Sequence, residues 1–269
     1  MCTASRRRLA RAALAGLVLV AATGCTREQW SRFGFPEPAT VQGPRILGLW
    51  RGSTIAALVV GGFVLGLILY SAFRFRKRGD ALPPQVHYNI PIEVLYTVVP
   101  FVIVAVLFYF TAVDETYVNK LSKKPDMTVN VVGFQWSWQF EYDEGQGAGN
   151  LLITGRQGQP PQLVIPTGRK ILFNETSPDV IHSWWVPEFL FKRDVIPGRK
   201  NKFEVTADRV GTYKGRCAEY CGLYHSRMLF SLKVVSPAEF DSFMSTAKSA
   251  AAAGTSDIYS LSSANSGSP

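Results

Sequence analysis

Residues 217 to 228 read CAEYCGLYHSRM and place two thiols, an imidazole and a thioether in one short stretch: Cys217, Cys221, His225 and Met228. A second imidazole, His182, stands upstream in VIHSWW. Thiolate and thioether sulfur select soft metals such as Cu(I), and neutral imidazole also suits copper, so this donor set points to copper rather than to calcium or magnesium. A mononuclear blue-copper ion uses one Cys, two His and a weak axial Met. This chain offers one Cys more, and two bridging thiolates suggest two copper ions. Two other readings use the same residues. Cys217 and Cys221 would form a structural disulfide in an oxidising compartment, or would join His in a tetrahedral zinc site. Met228 speaks against zinc, because a thioether is a copper-type ligand.

Such a loop needs a frame, and the residues around it read as one. From Met127 onward come short β-type runs, MTVNVVG, WSWQFEY, QLVIP, KILFNE, NKFEVTA, GTYKG and MLFSLKVV, punctuated by Gly, Pro and Asn. This pattern predicts an all-β sandwich. Trp136, Trp138, Phe140 and Tyr142 alternate with Ser137, Gln139 and Glu141, so a period of two puts the four aromatics on one strand face. After Pro237 the segment PAEFDSFMSTAKSA predicts a short surface helix. The Ala, Gly and Ser tail beyond it cannot build a core, and its last fifteen or so residues are expected to be disordered.

The first half of the chain has a different character. Residues 1–24 begin with Arg6, Arg7, Arg8 and Arg11, continue through LAGLVLVAA and end in small residues, the layout of a bacterial export signal. ATGC resembles a lipoprotein processing box that would leave an acylated Cys25 as the first mature residue, and SRRRL hints at a twin-arginine signal. Two apolar stretches follow, at 55–73 and 91–113, each long enough as a helix for about 30 Å of hydrocarbon. The loop between them carries Arg74, Arg76, Lys77 and Arg78, which marks it as cytoplasmic and leaves both flanks outside. The net charge of +9 is therefore concentrated in the signal and this loop. Residues 126–236 are nearly balanced, with thirteen Lys or Arg against eleven Asp or Glu, and nothing indicates nucleic-acid binding.

Taken in order, the second helix ending in VVP, the strand GFQWSWQFEY, the segment VIHSWWVPEF and the loop CAEYCGLYHSRM resemble the cytochrome c oxidase subunit II family, in its bacterial form, over roughly residues 45–236. The resemblance implies a membrane α-helical hairpin followed by an all-β, cupredoxin-like Greek-key sandwich or barrel. The expected divisions are a signal peptide at 1–24, an extracytoplasmic segment at 25–47, the hairpin at 48–113 with its cytoplasmic loop at 74–90, the cupredoxin domain at 114–236, and a helix and tail at 237–269. The location implied is the bacterial cytoplasmic membrane, with the C-terminal domain extracytoplasmic.

The same resemblance implies a dinuclear CuA centre. Cys217 and Cys221 would bridge two copper ions, His182 and His225 supply imidazoles, Met228 the thioether and Glu219 a backbone carbonyl. The Glu219 side chain would reach a magnesium or manganese ion at the boundary with the catalytic subunit, a hard cation suited to carboxylate oxygen. Trp136 matches the position that receives the electron from cytochrome c, whereas Ser137 replaces the Tyr usual between the two Trp residues. Glu93 matches the carboxylate at the mouth of a proton channel. Quinol oxidases of this fold lack the copper ligands, so cytochrome c or a tethered c-type cytochrome is the implied donor, a haem-bearing subunit I the implied acceptor, and further oxidase subunits the implied neighbours. For donor docking the acidic residues at hand are Glu141, Asp143, Glu144, Asp179, Glu188 and Asp194. A copper-delivery protein and a free-standing blue-copper carrier are the competing functions. The β-rich pattern and Met228 disfavour the first; the second Cys and the hairpin disfavour the second.

Overall fold

A computed structural model of the chain describes residues 27–77, 79, 85–143 and 151–252. The predicted signal segment, Cys25, Arg78, Glu144 and the end of the tail lie outside the described residues. The chain divides into two units, residues 1–37 and 38–269. In the first, helix α1 (Arg27–Ser31) ends in a turn where Gly34 has φ +80° and its N–H donates to the Gln29 carbonyl. A positive φ at this point suits glycine, which has no Cβ to clash.

The second unit opens with helices α2 (Gly43–Arg74) and α3 (Ile90–Val118). At 1.5 Å per residue both exceed the ~30 Å hydrocarbon thickness. Large apolar side chains such as Phe73, Phe101 and Phe108 stand more than 70% exposed on them. An apolar surface this extensive belongs against lipid or partner helices. At one end Arg45 pairs with Asp114 at 3.4 Å and lies over the Tyr117 ring at 4.3 Å, joining the two helices. Helix α3 continues five residues beyond the expected 113, through Asp114 and Glu115, and closes on Asn119, whose N–H bonds the Glu115 carbonyl.

Among the described residues ten strands follow: β1 (Met127–Phe134), β2 (Ser137–Asp143), β3 (Leu151–Thr154), β4 (Gln162–Pro166), β5 (Lys170–Thr176), β6 (His182–Val186), β7 (Phe191–Val195), β8 (Asn201–Thr206), β9 (Gly211–Cys217) and β10 (Leu229–Val235). They form two five-stranded sheets, ordered β3-β2-β1-β5-β8 and β4-β10-β9-β6-β7. The chain crosses repeatedly between the sheets, giving a cupredoxin-like sandwich. Three strands escaped the sequence pattern: LLIT is only four residues long, and HSWWV and FKRDV read there as motif rather than as strands.

Alternating inward residues fill the space between the sheets. Phe173 stacks on Phe203 at 4.8 Å, Trp184 on Phe230 at 5.6 Å, and Trp138 meets Phe230 edge-on at 5.4 Å. Tyr142 joins the sheets through its hydroxyl, which donates to the Val164 carbonyl at 2.8 Å and accepts from the Val164 N–H at 2.9 Å. Helix α4 (Pro237–Ala252) is less superficial than its sequence implies, because Phe240, Met244 and Ala247 are buried against the sandwich.

The hairpin is fastened to the sandwich at both ends. Before α2, Thr40 bridges Ala207, and the Ala39 and Val41 N–H groups donate to Glu188 and Thr206 carbonyls at 2.9 Å. After α3, the Arg193 guanidinium bonds the Asn119 side chain, and Ser122 donates its N–H and hydroxyl to the Glu204 carboxylate. These ties fix the attitude of the sandwich above the membrane-spanning pair.

Candidate metal centre

The metal loop spans the end of β9 and the start of β10. The β6–β9 register sets Trp184 opposite Cys217, which carries His182, two residues earlier on β6, to the same end of the sheet. The Ala218 N–H donates to the Ser183 carbonyl at 2.9 Å, and the Cys217 N–H to the Met228 carbonyl at 3.0 Å, so the loop closes on itself. Gly133 on β1 leaves the necessary room: a Cβ there would lie 3.3 Å from His182 and 3.1 Å from the Trp138 ring.

The result brings five predicted side chains together. Cys217 and Cys221 are buried free thiols with sulfurs 3.8 Å apart, which removes the disulfide reading. His182 Nδ1 stands 3.9 Å from the Cys217 sulfur, and His225 Nδ1 stands 3.6 Å from the Cys221 sulfur. The fully buried Met228 sulfur is 3.7 Å from Cys221. Ligand atoms of His182, Cys217 and Cys221 lie within 4.8 Å of one another. The Glu219 carbonyl faces the Cys217 sulfur at 3.2 Å, and its side chain is half-buried.

The electrostatics favour a cation here. Burial pushes the Cys217 thiol up, yet hydrogen bonds from His182, the loop backbone and His225 outweigh it and bring it down to about 7. Burial and the neighbouring Cys217 charge then push Cys221 up to about 12. Protein groups alone thus bring one thiol to where it begins to lose its proton near neutrality, and a coordinated metal would ionise both. Burial works to lower the His182 imidazole, but Cys217 and Asp179 more than offset it and raise it. Two sulfurs, two inward Nδ1 atoms and a thioether fit copper in donor type and direction.

Asp179 is the partner that sequence reading did not assign to this site. Its Oδ1 lies 2.9 Å from His182 Nε2, leaving Nδ1 to face the sulfurs, and its Oδ2 accepts the Gln135 N–H at 2.7 Å. Burial tends to raise this carboxyl, but those bonds and the His182 contact hold it below its ordinary value. Hydrogen-bonded carboxylates of this kind fix ring orientation in metal sites. The spacing in PDVIH, three residues from carboxylate to imidazole, was the available signal.

Trp136 departs from its expected strand face. Trp138, Phe140 and Tyr142 are buried on β2, whereas Trp136 occupies the tight turn between β1 and β2 and is half-exposed beside the loop. Its indole N–H donates to the Cys221 carbonyl at 3.2 Å, as does the Gln135 amide at 2.8 Å. Glu93 lies elsewhere, in the first turn of α3, where its Oε1 accepts the Asn89 N–H at 2.8 Å. Among the acidic residues considered for docking, Glu141 accepts from Asn130 and Asp194 neighbours Lys192.

Residues 28–111 match the transmembrane domain of cytochrome C oxidase subunit II, and residues 127–235 match its periplasmic domain. A Streptomyces coelicolor protein named "Probable cytochrome c oxidase subunit 2" is 49% identical, over 88% of this chain and 85% of that one. The chain belongs to the cytochrome c oxidase subunit II family. The Mycobacterium bovis cytochrome c oxidase subunit 2 is 35% identical, over 88% of this chain and 81% of its own length. The crystal structure of the periplasmic domain of subunit II from Bradyrhizobium japonicum is 32% identical and covers 48% of this chain and 98% of that chain, with a TM-score of 0.43. As a subunit II, this chain is part of a terminal oxidase, membrane-anchored with its C-terminal domain outside.

Proposed function

We propose that the chain accepts electrons from cytochrome c, or from a tethered c-type cytochrome, at a dinuclear CuA centre. It passes them to the haem of subunit I, where O2 is reduced to water with proton translocation. The observation that carries this reading is the pair of free sulfurs 3.8 Å apart, each with its own imidazole Nδ1 nearby. Cys217 and Cys221 would bridge the ions, with His182, His225, Met228 and the Glu219 carbonyl completing the set. When bound, the copper pair supplies a one-electron redox couple shared through sulfur.

The chain's own residues do the rest. Asp179 orients His182, the closed loop holds the sulfurs, and the buried aromatic layer around Trp138 and Met228 keeps water out. Trp136 receives the electron at the surface, and its bond to the Cys221 carbonyl leads inward. The Glu219 carboxylate would reach a magnesium or manganese ion shared with subunit I. At the opposite end of the hairpin, Glu93 would admit protons to the catalytic subunit. The divisions of the chain are proposed as a signal at 1–24, a lipid-bearing Cys25 opening an extracytoplasmic segment to 47, the hairpin at 48–113, the copper domain at 114–236 and a terminal helix and tail in a bacterial cytoplasmic membrane.

Metal analysis of the purified oxidase tests this. Two copper ions per subunit II should be present beyond those held by subunit I, both lost on Cys221→Ser, with reduced cytochrome c then failing to deliver electrons. One copper, or zinc, at this position would overturn the proposal.

A further inference from the structure

In this chain the indole that receives the electron has a second ring against it, supplied by the metal loop. Tyr224 meets Trp136 edge to face, with centroids 5.0 Å apart and planes at 86°. The Arg227 guanidinium also lies over the Tyr224 ring, 5.6 Å from its centroid. The loop passes directly beneath the indole: Gly222 has φ +116°, and a Cβ there would stand 3.3 Å from Trp136 Nε1. Ser137, the next residue along, is buried and carries no ring. An orientation-dependent contact is thus made by a residue adjacent in sequence to His225.

We propose that Tyr224 is a positioning residue for electron transfer: its ring holds the Trp136 indole in the orientation that keeps Nε1–H bonded to the Cys221 carbonyl. The proposal rests on the receiving role of Trp136. The path from surface to sulfur then runs through the indole, one hydrogen bond of 3.2 Å and the covalent bonds of Cys221. Edge-to-face ring pairs bias a side-chain equilibrium by about two- to tenfold. Losing the ring would let the indole turn away and interrupt the path at its one non-covalent link. Arg227 steadies Tyr224 through its cation–π contact. The electron moves from the reduced donor to the copper pair, and no bond is made or broken in Trp136 or Tyr224.

The test compares Tyr224→Phe, Tyr224→Leu and Tyr224→Ala in the assembled oxidase, with Leu retaining bulk without a ring. At saturating reduced cytochrome c, the Leu and Ala variants should accept electrons about three- to tenfold more slowly. The Phe variant should stay within twofold, and the half-saturating donor concentration should not move. A second readout needs no copper. In the full-length chain labelled with 5-fluorotryptophan, the Trp136 resonance, assigned with Trp136→Phe, should shift or broaden in Leu and Ala but not in Phe. An unmoved Trp136 resonance in Ala, a Phe variant as slow as Ala, or a change in half-saturation alone would each overturn the proposal. Undiminished electron acceptance in Trp136→Phe would instead overturn the receiving role of Trp136, and that of Tyr224 with it.

Discussion

The residues proposed to bind copper announce themselves by type, and the residues that would orient them do not. Two thiols, two imidazoles and a thioether have few common uses together, so Cys217, Cys221, His182, His225 and Met228 could be picked out in one dimension. Asp179, Gln135 and Tyr224 are ordinary residue types whose roles arise only when the β1–β2 turn folds against the loop. Asp179→Asn should weaken copper binding by about 10- to 100-fold, as loss of an orienting carboxylate does elsewhere, measured by competition with a chromophoric chelator. Unchanged affinity would remove Asp179 from the orienting role. Glu175, on the inner face of β5, is a different case. It is fully buried, and neither carboxylate oxygen has a hydrogen-bond partner among the described residues. Burial raises its pKa well above the ordinary value; Arg193 opposes that shift and Asp194 adds to it. A folded-state pKa above the unfolded one contributes stability that is complete below the unfolded value and is lost as pH rises through the folded one. Glu175→Gln should therefore match the parent near pH 4 and melt progressively higher than the parent as pH rises to about 8. A Tm difference independent of pH would contradict this.

At the scale of elements, periodicity located what it could reach. The two apolar stretches became α2 and α3, and seven β-type runs became strands, because each carries its own hydrophobic pattern. Strands β6 and β7 were obscured by the metal motif and by the run FKRDV, whose Phe191, Arg193 and Val195 set a cation among the inward positions. Trp136 left its expected face because a tight turn takes two residues out of register, which no alternation of side chains reveals. Pairing across strands explains Gly215 in a way that composition cannot. It lies opposite Phe230 in the β9–β10 register, and a Cβ there would stand 2.1 Å from that ring. Phe230 in turn touches Trp138, Phe140 and Trp184. Gly215→Ala should force this cluster apart and lower stability by about 1–3 kcal/mol, read from denaturant unfolding of the full-length chain in detergent. A stability loss below about 0.5 kcal/mol would mean the core yields there more easily than close packing allows.

For the whole molecule, the arrangement of a membrane hairpin beneath a β-sandwich was legible because hydropathy and charge act over long stretches. The ties between them were not, since Thr40 to Ala207, Asn119 to Arg193 and Ser122 to Glu204 join residues 74 to 167 positions apart in the chain. Those ties hold the sandwich in one attitude to the membrane, as the proposed transfer from a donor on one face to an acceptor on another would require. The basic loop after α2 should lie on the cytoplasmic side. Trypsin should cut after Arg76 or Lys77 in inside-out vesicles and leave right-side-out vesicles intact there; the reverse would invert the topology. The central claim is that Cys217 and Cys221 bridge two copper ions sharing one electron. Electron paramagnetic resonance of the copper-loaded full-length chain tests it most directly. A seven-line hyperfine pattern is predicted, from one unpaired electron spread over two copper nuclei, and a four-line pattern from a single copper would contradict it.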